Sequence, residues 1–66
     1  MTFDEWCKSD KVPGIPWVAW QLKVSTQTIY NWRKGKVVPR LLWRREIERL
    51  SEGAVPAAEA EWRRDG

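Results

Sequence analysis

Apolar positions recur along this chain at helical spacing, broken by turn residues at regular intervals. Phe3, Trp6 and Cys7 share one face, and Thr2-Phe3-Asp4-Glu5 reads as a capping box with Thr2 as N-cap. A first helix of about two turns is therefore predicted, ended by Val12-Pro13-Gly14. Pro16 suits the first position of a second helix, where its missing N–H is no loss. Val18, Ala19 and Leu22 face inward from it, and it ends near Lys23. Ser25 caps a third helix that buries Ile29 and Trp32, three residues apart, and stops at Gly35. Lys36-Val37-Val38 is an extended link. Pro39 opens a fourth helix with Trp43, Ile47 and Leu50 on one face, ended by Gly53.

The pattern predicts an all-α domain of four or five compact helices over residues 1–55. Residues 56–66 form a C-terminal tail. Ala57-Ala58-Glu59-Ala60-Glu61-Trp62 has helical propensity but little length. It is read as a short helix, a strand added to a partner, or a frayed end, and it is a candidate dimer contact.

The outer face of the third helix holds Thr26, Gln27, Tyr30 and Asn31, with Lys34 at its end. That face is uncharged, rich in hydrogen-bonding groups and flanked by cations, as a helix reading base edges in a major groove needs. Gln27 and Asn31 can each pair bidentately with adenine, and Thr26 can accept, donate or pack its methyl on thymine.

Four features make a tight turn between two helices specific here. They are small Ala19 at a close helix crossing, Leu22 and Val24 around the turn, Ser25 as cap, and inward Ile29 and Trp32. With these the chain resembles the lambda-repressor-like helix-turn-helix proteins, and among them the small phage Cro-type regulators. The resemblance runs from Trp17 to Val55, about 60% of the 66-residue chain. It is carried by Leu22-Lys23-Val24-Ser25, Ile29-Tyr30-Asn31-Trp32-Arg33-Lys34-Gly35, Val38-Pro39, Ile47-Glu48 and Gly53-Ala54-Val55.

The resemblance implies base reading by Thr26, Gln27 and Asn31. It implies phosphate contacts from Ser25 while it caps, from Thr28 at the groove wall, and from Lys34 and Lys36. Tyr30 either bonds a phosphate or covers a neighbouring helix, and Arg33 either joins the phosphate contacts or faces solvent. The chain departs from the family at two points. Lys23 stands where a glycine is usual, which requires a left-handed backbone or a different turn. Ile15-Pro16 replaces a polar phosphate-binding entrance, leaving a backbone N–H such as that of Trp17 to take that role.

Composition narrows the alternatives. Sixty-six residues make one small domain with a modest core. The six tryptophans suit such a domain, mostly as core filler. Val18 and Ala19 already claim the inner face of the second helix, so one of Trp17 and Trp20 is expected to be partly exposed. The net charge is +3, and between Arg33 and Arg49 seven basic residues face only Glu46 and Glu48.

The single cysteine, Cys7, and the absence of histidine leave no disulfide and no cysteine–histidine zinc site. Glu46 and Glu48 point to different sides of a helix and make no simple carboxylate pair. No enzyme, metal or cofactor is expected. No apolar stretch approaches the roughly 18 residues of a membrane span and no signal-peptide pattern opens the chain, so a cytoplasmic, nucleoid-associated location in a bacterial host is expected.

The expected function is sequence-specific binding of double-stranded DNA by a repressor acting in a phage or prophage switch. It would act as a homodimer on a palindromic operator, paired through the fourth helix or through Val55 and Trp62 of the tail. Two alternatives stand beside it. One is a winged-helix architectural protein of the excisionase or MerR-like kind, which needs a two-stranded wing after the third helix. The other is a small protein-interaction module, an antitoxin or antirepressor, using its tryptophans as hot spots.

Overall fold

A computed structural model describes residues 1–58 and Trp62. Its helices are α1 (Phe3–Cys7), α2 (Ile15–Leu22), α3 (Thr26–Lys34) and α4 (Leu41–Leu50), with no strand among the described residues. The all-α expectation therefore holds.

Local sequence sets the helix ends. The Thr2 hydroxyl accepts the Glu5 N–H at 3.1 Å, and the Glu5 carboxylate accepts the Thr2 N–H at 2.8 Å, completing the capping box. α1 holds only five residues in all, fewer than the two turns predicted. α2 begins one residue earlier than predicted, because the Val18 N–H already bonds the Gly14 carbonyl. Pro16 is thus the second helical residue, where its missing N–H still costs no helical bond. Pro39 stands before the N-cap of α4, Arg40, and the helix proper starts at Leu41.

Lys23 takes the left-handed conformation, with φ 59° and ψ 42°. It closes α2 as a glycine would, and the Val24 N–H returns to the Ala19 carbonyl at 3.0 Å. Gly35 ends α3 the same way at φ 77°. Gly53, at φ 84°, follows the end of α4.

The core is built from one face of each helix. Val18, Ile29 and Ile47 are fully buried, and Trp6, Ala19, Leu22 and Trp32 nearly so. Around Phe3 the aromatic rings gather: Trp6 at 6.0 Å, Trp32 at 6.3 Å and Trp62 at 5.0 Å between centroids. Trp43 extends the cluster, 6.3 Å from Trp32. Of the six tryptophans Trp6, Trp32 and Trp62 are buried and Trp17 and Trp43 half-buried, while Trp20 stays 75% exposed. Burial pushes the Cys7 thiol up to about 12, so it packs as an inert apolar group.

The segment after α4 is part of this core. Val55 is 2% exposed and Trp62 6%. The Trp62 indole N–H donates to the Pro56 carbonyl at 3.0 Å. α4 holds the intervening backbone with two side chains one turn apart. Arg44 Nε donates to the Ala57 carbonyl at 2.8 Å, and the Ala57 N–H donates to the Glu48 carboxylate at 3.2 Å. Arg44 Nη1 also donates to the Pro39 carbonyl at 2.8 Å, tying the α3–α4 link to the same bracket. The Ser51 hydroxyl accepts the Val55 N–H at 3.1 Å.

The chain beyond residue 55 thus returns to the core at Trp62. Val55 and Trp62, expected at a subunit contact, are buried in the protomer's own core. Ala57 and Ala58 are not helical. The rest of the expected tail helix, apart from Trp62, lies outside the described residues.

Candidate nucleic-acid interface

α3 is oriented by the side chains it buries. Ile29 is 0% and Trp32 6% exposed, and this turns the opposite side of the helix outward. Thr26, Gln27, Tyr30 and Lys34 are exposed there and Asn31 is half-buried. The three residues expected to read bases thus share the side of α3 that faces away from the core. Two of them touch: Gln27 Nε2 donates to Asn31 Oδ1 at 3.2 Å.

At the start of α3 the Ser25 hydroxyl accepts the Thr28 N–H at 3.2 Å and lies 2.9 Å from the Thr28 hydroxyl. Ser25 is the cap the sequence indicates. Both hydroxyls stand at the helix N-terminus, where backbone N–H groups favour an anion. Trp17 is half-buried and is the third residue of α2. Its N–H precedes the first intrahelical bond, which Val18 makes.

Arg33 is placed differently from the other expected contacts. Its Nε donates to Asp4 Oδ1 at 2.9 Å, and its side chain is only 18% exposed. The guanidinium also lies 5.8 Å from the centre of the Tyr30 ring. Lys8 joins the same carboxylate at 3.0 Å. Burial alone would raise the Asp4 carboxyl, but hydrogen bonds and charge from Lys8 and Arg33 outweigh it and hold it below its ordinary value. Arg33 is a tether between α3 and α1, which neither expected role for it described. The two positions are 29 residues apart, so no local spacing could signal the pairing.

The basic run is smaller than its residue count. Besides Arg33, Arg44 is spent on the Pro39 and Ala57 carbonyls, and Arg49 pairs with Glu46 at 2.6 Å. Lys34, Lys36, Arg40 and Arg45 are exposed and have no ion pair among the described residues. Three of these four lie at the end of α3 or in the link to α4, beside the polar face. Arg40 was not singled out from the sequence as a contact, though the charge count contained it.

No family model, curated protein or solved structure matches this chain. The site therefore stands on its own geometry. Among the described residues no group of carboxylates and cysteine gathers as a metal site. No helix among them is long and apolar enough to cross a membrane.

Proposed function

We propose that this protein binds duplex DNA sequence-specifically and regulates transcription, as a repressor of the phage Cro-like kind. α3 enters the major groove. Thr26, Gln27 and Asn31 meet base edges, and Ser25, Thr28, Lys34, Lys36 and the Trp17 N–H meet the backbone. The observation that carries this reading is the outer face of α3. An amide pair with no charge of its own stands on a helix backed by Ile29 and Trp32 and flanked by exposed lysines. A solvated helix face would have no need of this combination. Tyr30 lies under the Arg33 guanidinium and serves the α3–α1 tether as much as any phosphate.

One recognition helix reaches only a few base pairs, so two copies on a palindrome supply affinity and specificity, with half-sites about 34 Å apart. With Val55 and Trp62 in the core, the pairing surface falls to α4. Leu41 is 48% and Leu42 66% exposed at its start. Trp20 gives the protein-interaction reading its one specific support, as a large apolar side chain left 75% exposed.

Binding of selected and random duplexes across a salt series tests the proposal. Lys34→Ala and Lys36→Ala should weaken both kinds of DNA alike and flatten the salt dependence by about one unit each. Asn31→Ala should cost about 1–3 kcal/mol on the selected site only. If the parent binds no duplex at low salt, the protein-interaction reading takes its place.

A further inference from the structure

We infer that Gln27 is a positioning residue for Asn31, and that the two amides read one adenine position as a unit. This rests on the DNA-binding reading and deepens it. The two residues are one turn apart on α3, and Gln27 Nε2 donates to Asn31 Oδ1 at 3.2 Å. An asparagine amide has two acceptor lone pairs on oxygen and two N–H donors on nitrogen. The bond to Gln27 uses one lone pair of Asn31. It leaves the other lone pair and the Nδ2 donors facing outward, in a fixed order.

Adenine presents N7 as an acceptor beside N6–H2 as a donor, and guanine presents two acceptors, N7 and O6. Asn31 held this way can accept from N6 and donate to N7 together. Against guanine its oxygen meets O6, another acceptor. Turned over, the amide would set its oxygen against N7 instead, so guanine is refused either way, whereas adenine is read only in the orientation that the bond from Gln27 favours. Gln27 therefore sharpens adenine over guanine without itself having to touch that base. Its own Oε1 remains an acceptor for a neighbouring position. Both side chains lie on the outward side of the helix, and an i,i+4 amide pair contributes little to helix stability. The bond thus has small value to the fold, and its removal is a clean perturbation.

The test begins with selection of bound sites from random duplex DNA by the parent protein. The position where Asn31→Ala loses discrimination marks the base that Asn31 reads. At that position adenine and guanine duplexes are compared for the parent, Gln27→Met, Asn31→Ala and the double variant, with circular dichroism confirming each fold. Gln27→Met keeps the length and removes the donor. It should lower adenine-over-guanine discrimination at the Asn31 position by about twofold, and the double variant should lose less than the product of the single losses. Gln27→Glu can only accept, so it should bond the Asn31 nitrogen, turn the amide over and move the preference away from adenine. If Gln27→Met leaves discrimination at that position unchanged, or the losses multiply independently, the two residues are separate readers and the inference is overturned. If the parent selects no sequence at all, the DNA-binding reading fails with it, and that result is distinct from independent reading.

Discussion

Replacing Trp62 by alanine should unfold most of this protein at moderate temperature, far from any DNA contact. The indole is 6% exposed, sits 5.0 Å from the Phe3 ring and donates to the Pro56 carbonyl at 3.0 Å. Truncating a buried tryptophan to alanine costs about 3–5 kcal/mol. A chain of 66 residues has roughly 3–10 kcal/mol of total stability, so the loss takes a large share of it. At about 4–8 °C per kcal/mol for a domain this size, the midpoint should fall by 12 °C or more, given about 3 kcal/mol lost. Trp62→Phe separates the two contributions. It keeps an aromatic ring against Phe3 and gives up the N–H, so about 1–2 kcal/mol should go. Thermal and urea melts followed by circular dichroism read both variants. A Trp62→Ala midpoint within about 3 °C of the parent would show that the residue does not close the core, and the placement of the chain beyond α4 would be wrong.

Lys23→Gly should raise stability by about 0.5–1 kcal/mol in a urea melt, because the left-handed φ of 59° strains lysine and suits glycine; a loss would mean that the lysine side chain compensates. Arg44→Ala should cost about 1–3 kcal/mol, since it strips donors from both the Pro39 and Ala57 carbonyls; an unchanged midpoint would show that water replaces them fully. Asp4 has its folded carboxyl below the ordinary value near 3.8, so its contribution is fully present above that pH and is lost as pH falls through the lower folded value. Asp4→Asn should therefore narrow the gap in midpoint between pH 7 and pH 3, and a gap equal to the parent's would place the acid sensitivity elsewhere.

Where the chemistry is local, the chain could be read directly. The Thr2–Glu5 box, the Ser25 cap, the Gly35 stop and the inward pair Ile29 and Trp32 all act within one turn of themselves, and each appears where its neighbours require it. At Lys23 the sequence left a left-handed backbone and a different turn both open, and the chain takes the first, at φ 59°. The proline positions slipped by a residue or two. Helix onset is set by which carbonyl takes the first bond, and Gly14 takes it at the start of α2.

Long-range pairings were not legible. Arg33 and Arg44 look like any other cation in a basic run until Asp4 and Ala57 fold back onto them. Trp62 looked like part of a tail because nothing near it in sequence repeats at helical spacing. Its partner, Phe3, is at the other end of the chain. For the candidate interface, the polar face of α3 could be read in full. The bond between Gln27 and Asn31 was implicit in their spacing but not in its direction.

The meeting of Phe3 and Trp62 sets a timetable for synthesis. The helix that faces outward is complete once Lys34 has been added, yet the ring that covers its support on α1 comes 28 residues later (62 minus 34). At about 5–20 residues per second this is a delay of roughly one to six seconds, lengthened by the time Trp62 takes to clear the ribosome. During that interval Phe3 has Trp6 and Trp32 beside it but no cover from the far end. A growing chain therefore leaves the Phe3 side of its core open until Trp62 arrives.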